Sequence, residues 1–282
     1  MNLTQENIRS FRKRKIIKDL KKIKEISYSP EGTNLVVSGE GYINAYDTLS
    51  ANLINTVSVE AQNLTHFTEN TLLISKDKEI KHLSLYDNKY LSVYKSHSNS
   101  INFINTHNFL DWFITSCSAS VKIWDIKNKN PIYELNLLNS LGSFFGDKLI
   151  IVYNSVLKMY DTKKLSVPLK SIKIPHNDYN KISVTENLFT ISGSKFHQIY
   201  DKECNLISPI KTEKNSFVSF TPDSDYYTCS SGSFLFFNDS VSKNKVHTLR
   251  EEKGDFGNVI FNPCYLQFVS AENNVNFWMP DE

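Results

Sequence analysis

Short runs of alternating apolar and polar residues recur along this chain at nearly even intervals. Tyr42-Ile43-Asn44-Ala45-Tyr46, Val121-Lys122-Ile123-Trp124 and Val156-Leu157-Lys158-Met159-Tyr160 each alternate at period two, the pattern of a half-buried β-strand. Ahead of such runs lies a more continuous apolar run that ends in small residues, as in Leu35-Val36-Val37-Ser38-Gly39, Phe113-Ile114-Thr115-Ser116 and Phe268-Val269-Ser270-Ala271. Further upstream is a turn, such as Ser29-Pro30-Glu31-Gly32, Thr221-Pro222-Asp223-Ser224 or Asn262-Pro263. Proline presets φ there, and Gly, Asp and Ser accept the remaining dihedrals. The pattern predicts short strands joined by tight turns.

The alternating runs close on an aromatic residue followed by Asp. The pairs are Tyr46-Asp47, Tyr86-Asp87, Trp124-Asp125, Tyr160-Asp161 and Tyr200-Asp201; Asn238-Asp239 is a weaker copy, and Trp278-Met279 has lost the Asp. Successive second residues are 40, 38, 36, 40, 38 and 40 apart. Seven copies at that period match the WD repeat, in which each copy is one four-stranded blade of a closed ring. The expected fold is all-β, a single seven-bladed WD-repeat β-propeller over residues 1–282, with blades near 22–56, 57–95, 97–135, 136–170, 172–210, 214–250 and 253–282.

The two ends predict how the ring closes. Asn274–Met279 reads as the third strand of blade seven, and the sequence stops three residues later, leaving an edge with no fourth strand. Unassigned residues remain at the other end, in segment 1–20. Thr4 is placed to cap a short helix over Thr4–Phe11, with Leu3 and Ile8 spaced as a hydrophobic staple. Arg14-Lys15-Ile16-Ile17-Lys18 then supplies the closing N-terminal strand.

Composition narrows the function. Hydrophobic residues are 40% of the 282 and aromatics 12%, enough for a packed core and too many for a disordered chain. No apolar run approaches the roughly 18 residues of a membrane span, so no membrane role is expected. Four scattered cysteines, with no CxxC, speak against a disulfide framework or a zinc site. The net charge of +2 argues against a globally basic coat, and direct nucleic-acid binding is not expected. The charge is uneven, however. Residues 1–25 hold nine basic and three acidic residues, a net of +6, which leaves −4 for the rest. Three of the four arginines, Arg9, Arg12 and Arg14, stand there beside Lys13 and Lys15. An Arg fork suits phosphate or carboxylate, so these five residues are partner-binding candidates; the competing reading is a set of salt bridges pinning the N-terminus to the ring.

No phosphate-binding glycine loop, nucleophile elbow or H-E-x-x-H is present, and the seven histidines show no ligand spacing. The chain is therefore not expected to be an enzyme or to hold a metal or cofactor. His97-Ser98, 27 residues before Trp124, occupies the place of the histidine that in WD repeats reaches the blade tryptophan through a Ser and an Asp. That network looks incomplete, since Ser118-Ala119-Ser120 stands where an Asp is usual. Trp124, Asp125, His97, Trp278, Tyr86 and Asp87 are expected to be structural blade residues. Trp112 closes a loop-like stretch, Asn108–Trp112, and either packs under a turn or meets a partner.

Four stretches carry a more specific resemblance. They are Leu3-Thr4 with Arg9-Ser10-Phe11-Arg12; Leu83-Ser84-Leu85-Tyr86-Asp87-Asn88-Lys89-Tyr90 followed by His97-Ser98; Phe220-Thr221-Pro222-Asp223-Ser224; and Phe261-Asn262-Pro263 with Phe268-Val269-Ser270-Ala271 and Phe277-Trp278-Met279-Pro280. Together they resemble the WD-repeat subunit shared by the COMPASS-type histone lysine methyltransferase and, in fungi, the cleavage and polyadenylation factor, whose animal counterpart also joins a nuclear phosphatase complex. The resemblance implies a nuclear, non-catalytic adaptor in histone methylation, messenger-RNA 3′-end processing and transcription termination. Its implied partners are protein subunits of those complexes and the phosphorylated tail of RNA polymerase II. The chain departs from the family in its trimmed loops, around Ser118–Ser120 and in blades four and five. From the residues alone, a WD scaffold of another complex, such as one in ribosome assembly, and a propeller hydrolase are the rival readings.

Overall fold

The computed structural model describes residues 3–18, 20–107, 110–176, 178–212, 216–252 and 254–281. Asn108 and the expected blade starts at 214 and 253 lie outside them. Apart from one short helix, Gln5–Ser10, the regular structure is strand, arranged as seven four-stranded antiparallel sheets. Six sheets are sequential meanders, such as blade one, Glu25–Tyr28, Asn34–Gly39, Tyr42–Asp47 and Leu53–Val57. The innermost strand of each touches that of the next, and blade seven touches blade one, so the sheets form a closed seven-bladed propeller.

In six of the seven blades the second strand is the most buried, as in Asn34–Gly39 or Trp112–Cys117, because it is covered on both faces by neighbouring blades; in blade four the first strand, Leu141–Phe145, is buried throughout. The second strand's continuous apolar text follows from its position. The cores are correspondingly inter-blade clusters, for example Leu141, Phe145, Phe189, Ile191 and Tyr200 between blades four and five.

Blade seven takes its outer strand from the N-terminus. Phe11–Ile17 pairs antiparallel with Val275–Pro280, from Phe11 opposite Pro280 to Ile17 opposite Val275. Closure by an N-terminal strand therefore holds, with two changes in its bounds. The strand begins at Phe11, not Arg14, because the Phe11 ring is drawn into the core, 5.0 Å from Phe268 and 6.1 Å from Phe237. The helix accordingly stops at Ser10. Thr4 caps it through a reciprocal bond with Asn7, and Leu3 and Ile8 are both buried in the cluster between blades six and seven. Of the two isoleucines in the strand, Ile17 packs against Ile26, Val275 and Phe277, whereas Ile16 is exposed.

Candidate interaction surfaces and the buried hydrogen-bond relays

At the register where the third strand meets the second, aromatic rings stack in pairs. Phe113 and Trp124 lie 5.7 Å apart and 1° from parallel, Phe189 and Tyr200 5.2 Å and 14°, Phe268 and Trp278 5.6 Å and 5°. Two residues along the second strand, a hydroxyl meets each indole. Trp124 Nε1 donates to Thr115 Oγ1 at 2.8 Å, and Trp278 Nε1 donates to Ser270 Oγ at 3.0 Å. His97 Nε2 lies 2.7 Å from the same Thr115 oxygen. The His97–Trp124 connection therefore runs through one threonine, not through a Ser and an Asp. An indole can only donate, so Thr115 accepts from Trp124 and keeps its own proton and a second lone pair for the imidazole.

Burial pulls His97 down to about 4, helped by the nearby Lys122 ammonium. Burial does the same to His66, with Glu69 opposing it, and to His197, which contacts Ser216 at 2.6 Å. All three are neutral when folded and take up a proton on unfolding below about pH 6.5. Stability supplied by keeping them neutral is thus complete above that value and is lost as pH falls toward 4. The melting temperature should drop across this window. His97→Gln should make the drop shallower; an unaltered slope would show that His97 is not one of its sources.

The Asp after the aromatic has a local task. Asp125 accepts from the Lys127 amide at 2.9 Å, Asp161 from Lys163 at 2.8 Å, and Asp201 from Glu203 at 3.0 Å and Asn205 at 2.7 Å. Asp47 and Asp239 do likewise, accepting from Ser50 and from Val241 and Ser242, and these bonds hold their carboxyls below the usual range. Each carboxylate caps the turn into the blade's outer strand. Blade seven has Met279 at this place, where the strand runs straight on to Pro280 and its outer neighbour comes from residues 11–17.

Blade two breaks the pattern. Leu72 faces Leu83 and Thr71 faces Ser84, so Leu83-Ser84 holds the place that Tyr46-Asp47 holds in blade one. Tyr86-Asp87 sits three residues on, in the turn, with Tyr86 93% exposed. Those two are not packed blade residues: an aromatic-Asp pair with the right spacing occurs in a solvated loop. Asp87 still accepts from Ser84 and the Lys89 amide, which holds its carboxyl below the usual range, but it does so in a solvated turn. Asp201→Ala should therefore cost about 1–2 kcal/mol and Asp87→Ala clearly less, readable by denaturant titration, and equal losses would contradict this assignment.

Trp112 is also placed differently from expectation. It opens the second strand of blade three, opposite Asp125, and is half-buried against the cluster between blades three and four.

The basic N-terminal residues are largely engaged. Lys13 pairs with the buried carboxylate of Glu251, which also accepts from Asn276, and its ammonium lies 5.7 Å from the Trp278 ring. Lys15 donates to the Ser50 carbonyl. Lys13 faces Trp278 and Lys15 faces Phe277, so Arg14 is the extra residue of a bulge. Its guanidinium turns outward to Asp281 at 2.8 Å, and Arg12 approaches the same carboxylate at 3.5 Å. Arg9 and Arg12 line an open cleft of about 630 Å3 with Gln5, Glu6, Ser10 and Asp281. Burial lowers the pKa of His247, and the charges of both arginines lower it further.

The central channel was not read from the sequence. At one register of the innermost strands it presents Ser27, Thr65, Asn105, Ser143, Ser183 and Ser219, with Ile260 in blade seven. At its upper end Lys181 of blade five donates to Asn258 of blade seven at 3.2 Å. Burial pushes Lys181 down and Glu25 up, each partly offset by the other's charge. The signal was a small polar residue at one place in the first strand of blades one to six, visible once the blades are aligned. Among the described residues, no group of three or more His, Cys, Asp or Glu could hold a metal ion.

No protein-family model matches the chain. Over 99% of its length it is 25% identical to WD repeat-containing protein 82 of Drosophila melanogaster, covering 98% of that protein. It is 24% identical to COMPASS component SWD2 of Saccharomyces cerevisiae, over 98% of this chain and 96% of that one. A shorter match, 26% identical over 43% of the chain, joins it to the Schizosaccharomyces pombe uncharacterized WD repeat-containing protein C824.04. None of these names is that of a catalytic activity. With seven blades in a closed ring and two such relatives from end to end, the chain is a WD-repeat β-propeller similar to WD repeat-containing protein 82 and COMPASS component SWD2, as the four sequence stretches implied.

Proposed function

We infer that this chain is a non-catalytic adaptor subunit of a nuclear complex for histone lysine methylation of the COMPASS type, for messenger-RNA 3′-end processing and transcription termination, or for both. The observation that carries this is the end-to-end similarity to COMPASS component SWD2 and to WD repeat-containing protein 82. A shared fold does not by itself assign function; similarity over nearly the whole of both chains is the stronger support. The test is affinity purification of the tagged chain from native nuclei. A methyltransferase catalytic subunit or polyadenylation factors should co-purify. Ribosome-assembly factors in their place would overturn the reading.

Arg9 and Arg12, at the open cleft beside the helix, are the partner-contact candidates in this reading, suited to an acidic or phosphorylated segment such as the phosphorylated polymerase tail. Arg9→Lys with Arg12→Lys keeps the charge and removes the fork. Binding of such a phosphopeptide should weaken several-fold with the melting temperature unchanged. Equal binding by the variant would remove these two residues from the interface.

A further inference from the structure

The net charge gave no reason to expect nucleic acid, yet blades five and six carry a local arrangement that the total conceals. In blade five, Phe196 opens the third strand and faces Lys211 of the outer strand, whose ammonium lies 5.7 Å from the ring centre; that ring is itself stacked on His176, 3.9 Å away and 22° from parallel. Blade six repeats this at the same place: Phe234 faces Arg250, with the guanidinium 5.8 Å from the ring. One step further along, Lys245 lies 5.6 Å from Phe236. The rings of Phe234 and Phe236 are 6.2 Å apart and 15° from parallel.

Alternation explains why these rings are available. Leu235 and Phe237, between and after them, are fully buried against blade seven and the N-terminal segment. Phe234 and Phe236 therefore project from the other face, where Phe234 is 40% exposed. The cations beside the rings are uncommitted. Arg12 and Arg14 are tied to Asp281 and Lys13 to Glu251, but none of Lys211, Lys245 and Arg250 forms an ion pair among the described residues.

We propose that the outer part of blade six, through Phe234, Phe236, Lys245 and Arg250, forms a binding ledge for single-stranded RNA or DNA. Flat rings interleaved with cations are what an unpaired strand requires. Its bases stack on aromatic faces whatever their identity, and its phosphates meet the lysines and arginine. An acidic peptide would use the cations and leave the rings idle. A duplex keeps its bases stacked inside and would leave them idle too.

The test is fluorescence anisotropy of a labelled twelve-residue oligouridine with the full chain at low and moderate salt. Phe234→Ala should weaken binding between about fivefold and a hundredfold, and Phe234→Trp should restore it. Arg250→Gln should weaken binding and lower the salt slope by about 0.7. Circular dichroism on each variant separates lost binding from lost fold. Ultraviolet crosslinking of the unaltered protein, with the adducts mapped by mass spectrometry, should place them on these aromatic residues independently of any variant. The proposal is overturned by no binding at low salt, by crosslinks elsewhere, or by binding that depends on Arg250 and Lys245 but not on Phe234. It is also overturned if polyglutamate competes as well as the oligonucleotide, which would mark an acidic-peptide site.

Discussion

Removing residues 1–17 should abolish the soluble monomer. The deletion takes the whole outer strand of blade seven, and with it the ladder to Val275–Pro280. It also uncovers the cluster that Leu3, Ile8 and Phe11 complete with Phe237, Phe268 and Trp278. Burying each of those three side chains contributes about 1.5–3 kcal/mol before the cost of ordering the segment. The net loss should therefore exceed about 3 kcal/mol, and the exposed edge of Val275–Pro280 invites pairing between molecules. Size-exclusion chromatography should show aggregates, and any remaining monomer should melt well below the full chain. A milder variant isolates the cause. Phe11→Ala keeps the strand and removes the ring wedged between Phe237 and Phe268, for about 3–5 kcal/mol. A truncated protein that melts like the intact one would show that the ring closes without strand exchange.

Trp124→Ala should cost about 3–5 kcal/mol. The indole is fully buried, stacks on Phe113 and packs edge-on to Tyr94, so its loss leaves a cavity walled by two blades. It also removes the donor to Thr115, leaving that hydroxyl to His97 alone. Trp124→Phe divides the two contributions. It keeps a ring against Phe113 and loses only the hydrogen bond and part of the volume, for about 1–2 kcal/mol. Trp278→Ala should resemble Trp124→Ala, since it stacks on Phe268 and donates to Ser270 in the same way. Chemical denaturation of the four proteins checks this, and wild-type stability for Trp124→Ala would refute the packing described.

Both expectations were visible in the sequence in outline, and the reason is the range of the interactions involved. A strand that alternates at period two states which face is buried, whatever lies against it. An Asp that caps the turn two to four residues ahead leaves a short-range signal. Such signals, recurring every 36–40 residues along the chain, imply seven blades, and an unpaired last strand implies that something must cover it. The helix cap at Thr4 and the staple of Leu3 with Ile8 are equally local.

Contacts between residues distant in sequence were not legible in this way. Asp281 claims Arg12 and Arg14 across nearly the full chain, and Glu251 claims Lys13 from another blade. A basic run therefore read as an open patch until its partners were placed. Thr115 replaced the expected Ser and Asp because what matters at the indole is a hydroxyl at the right depth of the blade, which spacing along the chain does not report. Tyr86-Asp87 shows the converse error. The pair has the right letters and interval, but strand pairing sets Leu83-Ser84 at the packed position and leaves Tyr86 in water. The aromatic ledge proposed on blade six was concealed for the same reason, since strand register is what sets Phe234 opposite Arg250. The sequence by itself determined the strands, their number and the need for an N-terminal closure, because each rests on interactions within a few residues. Only the tertiary structure decided which cations are neutralised and which aromatic rings face water, because those depend on neighbours that folding brings from elsewhere in the chain.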